Sequence, residues 1–215
     1  MSHSLRARAA LFDMDGTLVD STAVVEVMWS AFAERFDLDR ATVLGAIHGV
    51  RAADSVRRFA PAGSDVAAIV AELDADELEH TEGTVAIPGA IAFLASLPRE
   101  RVALVTSASP ALAAGRLAAA GVTSPDTVVT ARDVANGKPA PDCYVAAAAR
   151  LGVAATDAIV FEDAEAGIRA GLDAGMRVVV VGSHESPSTH GLPRIPHYST
   201  ARAAIEGDEF VLTLG

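Results

Sequence analysis

The feature of this sequence that most constrains its fold is a repeated alternation of short apolar segments with alanine-rich helical stretches. The apolar segments cover residues 9–12, 102–105, 127–129, 158–161 and 178–181. The alanine-rich stretches between the later segments cover residues 111–120, 144–151 and 165–174. Strands that are buried on both faces are apolar throughout, and helical crossovers leave successive strands parallel. The alternation therefore predicts an α/β fold with a Rossmann-like, doubly wound parallel sheet.

The stretch after the first apolar segment breaks this alternation. No convincing strand follows that segment before the turn at Pro88. Apolar residues recur at every fourth position between Val24 and Phe36, which is typical of an amphipathic helix. Further helices are predicted over residues 40–47, 52–59 and 65–80. We therefore expect residues 18–85 to form a small α-helical domain, inserted into an α/β core domain of residues 1–17 and 86–215.

The C-terminal residues 185–215 give a weaker pattern. Three prolines in this stretch indicate loops. We expect a helix over residues 200–205 and an edge strand over residues 210–214, and we infer no function for this part of the chain.

The composition limits the partners and the compartment of the protein. Lys and Arg together number 17 and Asp and Glu 28, which gives a formal net charge of −11. This acidic balance argues against nucleic-acid and membrane-surface partners, because both favour clustered basic residues. The single cysteine, Cys143, excludes an intrachain disulfide, and the sequence has neither an apolar run of membrane-spanning length nor a signal peptide. We expect a cytoplasmic protein.

A set of polar residues follows the apolar segments at the places where the predicted strands end. Ligands of open α/β sheets bind beyond the carboxyl ends of the parallel strands. The polar residues at these positions are Asp13, Asp15, Thr106, Ser107, Lys138, Glu162 and Asp163. Lys138 is the only lysine of the chain. We expect these carboxylates, hydroxyls and the ammonium group to meet at one edge of the sheet.

Carboxylates gathered in this way favour a hard cation and a phosphate. They raise one another's pKa unless a cation lies between them, and an oxygen-only ligand set suits Mg²⁺. Lys138, the Thr106 hydroxyl and the Ser107 backbone N–H are placed to hold the remaining oxygens of a phosphate. Phosphoryl transfer requires mainly such positioning and charge neutralisation. The pattern therefore predicts a Mg²⁺-dependent phosphoryl-transfer site.

The two aspartates of the first segment are suited to different roles. Asp13, at the strand end, is placed to act as nucleophile and metal ligand, since carboxylates form aspartyl-phosphate intermediates. Asp15 follows in the same turn and can protonate a leaving alkoxide and then deprotonate the attacking water. Gly16 permits a tight turn out of the strand.

Four segments together resemble the motifs of a known family. DMDGTLVDS, VTSAS, GKPAPDCY and FEDAEAGI resemble, in order and spacing, the four motifs of the haloacid dehalogenase-like phosphohydrolase superfamily. The resemblance implies that Asp13 is the nucleophile and Asp15 the general acid/base. It also implies that the inserted helices are the family's small cap domain, a mobile lid that excludes water and selects the substrate.

The same resemblance implies ligands for the metal and for the phosphate. The implied metal ligands are Asp13, Asp15 through its backbone carbonyl, Asp163 and, in an assisting role, Glu162. Thr106 and Lys138 are the residues implied to bind the transferring phosphate.

The segments IHGVR and TEGTVAIPGA are similar to one branch of the superfamily. That branch dephosphorylates sugars, sugar alcohols and glycerol phosphate, which implies a small phosphorylated sugar or polyol as substrate. His48 and Arg51 lie in the inserted domain and are the candidates for contacting the substrate. We expect a monomer or a weak homo-oligomer.

Two alternatives remain open. A hexose-phosphate mutase of the same fold resembles the chain, but such mutases carry a His and a Lys in the cap, and residues 18–85 contain no lysine. A phosphoacceptor signalling module also gathers acidic residues, a Ser or Thr and a Lys at strand ends. It needs no helical insertion, however, and its phosphorylated Asp lies on a later strand. Both comparisons favour the hydrolase.

Overall fold

Strands and helices alternate along most of the chain in this computed structural model, which describes residues 3–214. The strands are β1 (His3–Ala7), β2 (Ala9–Phe12), β3 (Val19–Asp20), β4 (Val85–Ala86), β5 (Val102–Val105), β6 (Thr127–Val129), β7 (Ala158–Glu162), β8 (Arg177–Val181), β9 (Arg194–Ile195), β10 (Arg202–Glu206) and β11 (Glu209–Leu214). The helices are α1 (Thr22–Arg35), α2 (Arg40–Ile47), α3 (Ala52–Phe59), α4 (Val66–Glu79), α5 (Ala90–Ala95), α6 (Pro110–Ala119), α7 (Asp142–Leu151) and α8 (Glu165–Asp173). The five strands predicted from the apolar segments are all present.

The central element is a parallel sheet in the strand order β6-β5-β2-β7-β8-β9. β2 lies in its middle, and its last residue, Phe12, is paired with Leu104 of β5 and with Phe161 of β7. Because the three strands are in register, the residues that follow them lie side by side. The chain leaves β2 for β5 on one side and reaches β7 on the other, and such a switch point is where α/β sheets bind ligands.

Helices cover both faces of this sheet, which confirms the doubly wound fold. On one face α7 and α8 bury Tyr144 and Ile168 against the strands. On the other face α5 and α6 join an apolar cluster that contains the rings of Phe12 and Phe161, stacked with centroids 4.6 Å apart. The strands that carry the site are therefore fixed from both sides.

Helices α1–α4 pack on one another around an apolar cluster of their own, and we call residues 22–79 the helical insertion. Trp29, Phe32, Val43 and Val56 are all at most 5% exposed within it. Asp39 begins α2 by accepting the N–H of Thr42 at 2.8 Å. The short strands β3 and β4 pair at the point where the chain enters and leaves the insertion. The division into two domains at residues 18 and 85 stays a prediction.

The C-terminal prediction was wrong in two respects. The helix expected over residues 200–205 is the strand β10, because residues 207–208 form a two-residue turn that pairs β10 with β11. The edge strand expected over residues 210–214 is β11, the middle strand of a separate antiparallel sheet. It lies between β10 and β1, and the N-terminal residues 3–7 supply the pairing that local sequence does not reveal.

Within residues 3–214, no helix combines the length and the hydrophobicity that crossing a lipid bilayer requires.

Candidate active site

The loop after β2 is closed by its own backbone. The carbonyl of Met14 accepts the N–H groups of Thr17, Leu18 and Val19 at 3.2, 2.8 and 2.9 Å. Gly16 has a φ of +80°, and a Cβ at this position would overlap the carboxylate of Asp163. Glycine is therefore required here both for the turn and for the approach of Asp163, as the sequence predicted for the turn.

Lys138 lies at the centre of the site. Its Nζ donates to Oδ1 of Asp13 at 2.5 Å, to Oε1 of Glu162 at 2.7 Å and to the carbonyl of Val105 at 3.0 Å. The lysine side chain is 1% exposed, and the ring of Tyr144 lies 5.1 Å from Nζ. Burial acts to lower the pKa of Lys138, but the carboxylates of Asp13 and Glu162 outweigh it and raise that pKa above its ordinary value. The lysine is therefore a permanent cation beside Asp13.

Glu162 is held by four protein donors. Its Oε1 accepts from Lys138 and from the Tyr144 hydroxyl at 2.9 Å, and its Oε2 accepts the N–H groups of Asp163 and Ala164 at 3.0 and 3.2 Å. A Cβ on Gly167 would overlap this carboxylate, so helix α8 can approach it only because residue 167 is glycine. The arrangement places the negative charge of Glu162 behind Lys138 and orients the ammonium group.

Three acidic side chains form a cluster suited to a metal ion. One carboxylate oxygen from each of Asp13, Glu162 and Asp163 lies within 4.8 Å of the others. Asp163 is fixed by the Thr17 hydroxyl, which donates to its Oδ1 at 2.9 Å. Burial and the neighbouring Glu162 raise the pKa of Asp13 to about 8 and raise the pKa of Asp163 well above its ordinary value.

This donor set fits a hard divalent cation. Burial and the negative charge of Glu162 both disfavour the ionised carboxylates of Asp13 and Asp163, and a divalent cation would favour them. Oxygen ligands alone are the set that Mg²⁺ takes in phosphate sites. Because protein donors already occupy both oxygens of Glu162, Asp13 and Asp163 are the carboxylates placed to ligate, with Glu162 contributing its charge from behind.

Thr106 and Ser107 lie beyond the end of β5, as the sequence predicted. The Thr106 side chain is 3% exposed, and its Oγ1 accepts the N–H of Ala108 at 3.0 Å, which leaves the hydroxyl hydrogen to donate elsewhere. The Ser107 hydroxyl donates to the carbonyl of Gly49 in the helical insertion at 2.8 Å. Its backbone N–H is therefore the group of Ser107 suited to a phosphate.

Asp15 is oriented by two partners that the sequence did not reveal. Its Oδ1 accepts from the Ser21 hydroxyl at 2.7 Å, and its Oδ2 accepts from Nη1 of Arg116 at 2.6 Å. Arg116 lies on α6, and its Nη2 also donates to Glu77 on α4 of the helical insertion.

A cavity of about 400 Å³ separates the sheet edge from the helical insertion. Its lining includes Asp13, Asp15 and Thr106 from the sheet edge and Trp29, His48 and Arg51 from the insertion. His48 is exposed at the end of α2. The structure therefore places both predicted substrate-contacting residues on the same cavity as the catalytic candidates.

Arg51 has structural contacts in addition to its place on the cavity. Its Nε donates to Asp54 at 2.7 Å and its Nη1 to the carbonyl of Ala135 at 3.1 Å. A Cβ on Gly137 would overlap the Arg51 side chain. Arg51 thus attaches the helical insertion to the loop that leads into Lys138.

Five residues of this site were not singled out from the sequence, and they differ in how far the sequence could have indicated them. Thr17 and Ser21 lie inside the quoted segment DMDGTLVDS and Tyr144 lies inside GKPAPDCY, so these motifs were the available signal. Arg116 is one of many arginines and Glu77 one of several acidic residues on α4. Only the packing of α4 against α6 brings these two together, and nothing in the local sequence indicates it.

Known proteins similar to this chain include hydrolases and phosphatases. The sequence matches the haloacid dehalogenase-like hydrolase family over residues 7–175. It is 44% identical over 183 residues to hexitol phosphatase A of Escherichia coli, covering 83% of this chain and 85% of that protein. It is 32% identical over 192 residues to glycerol-1-phosphate phosphohydrolase 2 of Saccharomyces cerevisiae, covering 84% of this chain and 76% of that protein.

A solved structure shares the fold. β-Phosphoglucomutase from Clostridium difficile superposes with a TM-score of 0.77, covering 89% of this chain and 91% of its own. At 22% sequence identity, this similarity concerns the fold and not the reaction.

Proposed function

The chain belongs to the haloacid dehalogenase-like hydrolases, and on that premise we propose that it is a Mg²⁺-dependent phosphatase of small sugar, sugar-alcohol or glycerol phosphates. The observation that carries the proposal is the buried contact between Lys138 and Asp13, which lines a cavity of about 400 Å³. The buried lysine provides a positive charge for a phosphate, and the carboxylate beside it provides a nucleophile to attack the phosphorus.

The phosphate of the substrate is held at the sheet edge. The Thr106 hydroxyl and the Ser107 N–H donate to its oxygens, and the Lys138 ammonium places a positive charge beside it. A Mg²⁺ ion held by Asp13, the Asp15 carbonyl and Asp163 would neutralise further charge on the phosphoryl oxygens when bound. These contacts fix the phosphorus next to Asp13, which is the positioning that phosphoryl transfer requires.

The reaction then proceeds in two displacements. Lys138 holds Oδ1 of Asp13, and a carboxylate oxygen of Asp13 forms a bond to phosphorus while the bond to the sugar oxygen breaks. Asp15 gives its proton to the departing alkoxide. In the second step Asp15 takes a proton from water, the water oxygen bonds to phosphorus, and inorganic phosphate leaves Asp13 free again.

The substrate class rests on the cavity and on the relatives. The cavity has both charged and apolar lining groups, among them Arg51 and Trp29, and its volume suits a small molecule. The similar proteins named for hexitol phosphate and glycerol-1-phosphate support a polyol or sugar phosphate. A mutase is the weaker alternative, because residues 18–85 carry no lysine to steer a phosphoryl group back onto a sugar.

The test is phosphate release from a panel of hexitol, hexose and glycerol phosphates in the presence of Mg²⁺, with a hexose bisphosphate included to detect mutase activity. We expect release from at least one polyol or sugar monophosphate, and none without a divalent cation. The variant Asp13→Asn, which removes the proposed nucleophile, is measured on the same panel. Its matched control is Asp208→Asn, because the Asp208 side chain is 83% exposed and Asp208 does not line the cavity. Activity restricted to interconversion of sugar phosphates would favour the mutase instead.

A further inference from the structure

One charged side chain contacts both Asp15 and the helical insertion. Arg116 donates through Nη1 to Oδ2 of Asp15 at 2.6 Å and through Nη2 to Oε2 of Glu77. The guanidinium is planar and its N–H groups diverge in fixed directions, so two carboxylates bound to it are fixed relative to each other.

The burial of this contact makes it energetically important. The Arg116 side chain is 10% exposed and the Glu77 side chain 6% exposed. Burial raises the pKa of Glu77, and Arg116 acts to lower it again. A surface ion pair contributes little, whereas a buried one that loses a partner leaves a charge without water or a counter-ion.

The position of Asp15 therefore depends on the helical insertion. Its Oδ1 accepts from Ser21, which lies directly before α1, while Arg116 connects its Oδ2 to Glu77 on α4. Helices α4 and α6 approach closely here, since a Cβ on Gly115 would lie 2.9 Å from Cδ2 of Leu78. The two polar contacts of the Asp15 side chain therefore connect it to the two ends of the helical insertion, through Ser21 just before α1 and through Arg116 to Glu77 on α4.

We propose that Arg116 is a positioning residue that orients the Asp15 carboxylate for proton transfer to the leaving group, and that Glu77 makes this orientation depend on the seating of α4. The inference rests on the proposed function, because it concerns the step in which Asp15 acts. With α4 in place, both ends of the guanidinium are anchored and Asp15 faces the cavity in one orientation. With α4 displaced, Arg116 no longer has Glu77 to fix its guanidinium, and the Ser21 hydroxyl is the remaining fixed partner of the Asp15 side chain.

The competing explanation is that Arg116 and Glu77 only hold the helical insertion closed. The leaving group distinguishes the two explanations. A sugar or polyol alkoxide leaves poorly unless it is protonated, whereas p-nitrophenolate is stable enough to leave without a proton. A misplaced Asp15 therefore penalises alkyl phosphates selectively, while a loosened insertion lowers access or binding for both kinds of substrate.

The experiment compares kcat/KM for the best alkyl phosphate of the panel with kcat/KM for p-nitrophenyl phosphate, because this ratio covers the steps up to departure of the leaving group. For Arg116→Met we expect a loss of about 10²-fold on the alkyl phosphate and less than about tenfold on the aryl phosphate. Glu77→Gln, which keeps an oxygen acceptor for Arg116, should show a smaller loss in the same direction.

One control variant and one double variant separate positioning of Asp15 from general effects on the helical insertion. Glu72→Gln removes the charge of another glutamate on α4, one that forms an exposed ion pair with Arg35 of α1, and should leave kcat/KM unchanged for both substrates. If Arg116→Met misfolds because Glu77 is left buried and unpaired, the double variant Arg116→Met and Glu77→Met removes that charge while still depriving Asp15 of its partner.

An equal loss on both substrates, or no loss on either, would overturn the inference and leave the proposed function intact. A wild-type protein that hydrolyses neither substrate would overturn the proposed function and this inference with it.

Discussion

The sheet edge and the helical insertion hold their polar residues in different ways. At the sheet edge, Lys138, Asp13 and Glu162 are at most 4% exposed and are connected to one another by direct hydrogen bonds. Across the cavity, His48 is exposed, and Arg51 is attached to the sheet side through backbone carbonyls. The difference indicates that Lys138, Asp13 and Glu162 are fixed by the sheet, while the proposed substrate-contacting residues belong to a part of the chain held by fewer polar contacts.

The physical origin of this difference lies in the packing. β2, β5 and β7 are buried and in register, so the residues at their ends cannot move independently. The helical insertion has its own apolar cluster around Trp29 and Val43, which stabilises it without requiring one fixed relation to the sheet. A lid of this kind can change its contacts with the substrate while Asp13 and Lys138 stay in place, whereas Asp15 is connected to the lid through Arg116 and Glu77.

The largest effect should come from Asp13. We expect Asp13→Asn to lower phosphate release by about 10⁴-fold or more on every substrate of the panel, because an amide cannot form the covalent intermediate. The control variant Asp208→Asn should keep full activity. If Asp13→Asn were to spare one class of substrate, the chemistry would not be confined to the sheet edge and the comparison of the two regions would fail.

The second-largest effect should come from Lys138. We expect Lys138→Arg to lower kcat by roughly 10²- to 10³-fold, the scale of losing one charged donor to the transition state, because a guanidinium does not fit among three acceptors 2.5–3.0 Å from Nζ. Arg150→Lys at an exposed ion pair is the opposite exchange and should leave kcat unchanged. Equal activity of Lys138→Arg and wild type would show that only the charge matters there.

A smaller and more selective effect is expected from Arg51. We expect Arg51→Ala, which loses the hydrogen bonds of this side chain, to change kcat/KM for sugar and polyol phosphates by about tenfold. The ranking of these substrates should also change, with a smaller effect on p-nitrophenyl phosphate. Arg58→Ala is the matched control, because Arg58 lies on α3, the helix that Arg51 directly precedes, but outside the cavity lining. A uniform loss over all substrates would place Arg51 with the loop that positions Lys138 and not with substrate recognition.

A separate effect is expected on the stability of the metal-free protein. The pKa of Asp13 is about 8 in the folded protein and about 4 in an unfolded chain, so the folded state binds the proton more tightly. The free energy of unfolding of metal-free protein should therefore fall as the pH rises from about 4 to about 8.

Thermal melts with EDTA across this range measure the effect, and the difference between wild type and Asp13→Asn isolates the contribution of Asp13. Added Mg²⁺ should restore stability at the upper end of the range, because a cation favours the ionised carboxylates. A metal-free wild type that gains stability relative to Asp13→Asn with rising pH would contradict the burial of this carboxyl group.

The sequence predicted those parts of the molecule that follow from strand register. Asp13, Thr106 and Glu162 could be brought to one edge because each directly follows, or ends, an apolar strand of the same parallel sheet. The bounds of α2 and α3 followed from local helical pattern in the same way. These inferences need only the short-range periodicity of the chain.

Contacts between distant segments could not be predicted. Strand β11 pairs with residues 3–7 at the other end of the chain, and Arg116 meets Glu77 only because two helices from different parts of the fold pack together. Neither contact is indicated by the sequence around the residues that form it. The sequence predicted that Glu162 assists a metal, but it did not reveal the four protein donors that hold this carboxylate. Those donors depend on the turn into α8 and on the position of the Tyr144 hydroxyl, which only the folded chain shows.

The most direct test of the account is to trap the covalent intermediate on Asp13. Asp15→Asn protein incubated with Mg²⁺ and p-nitrophenyl phosphate should release one equivalent of nitrophenolate rapidly and then slow down, because the leaving group needs no proton while hydrolysis of the phosphoenzyme needs Asp15 as base. Peptide mass analysis should find one phosphoryl group on the peptide that contains Asp13. A phosphoryl group on another residue, or steady turnover with no covalent species, would contradict the assignment of Asp13 as nucleophile.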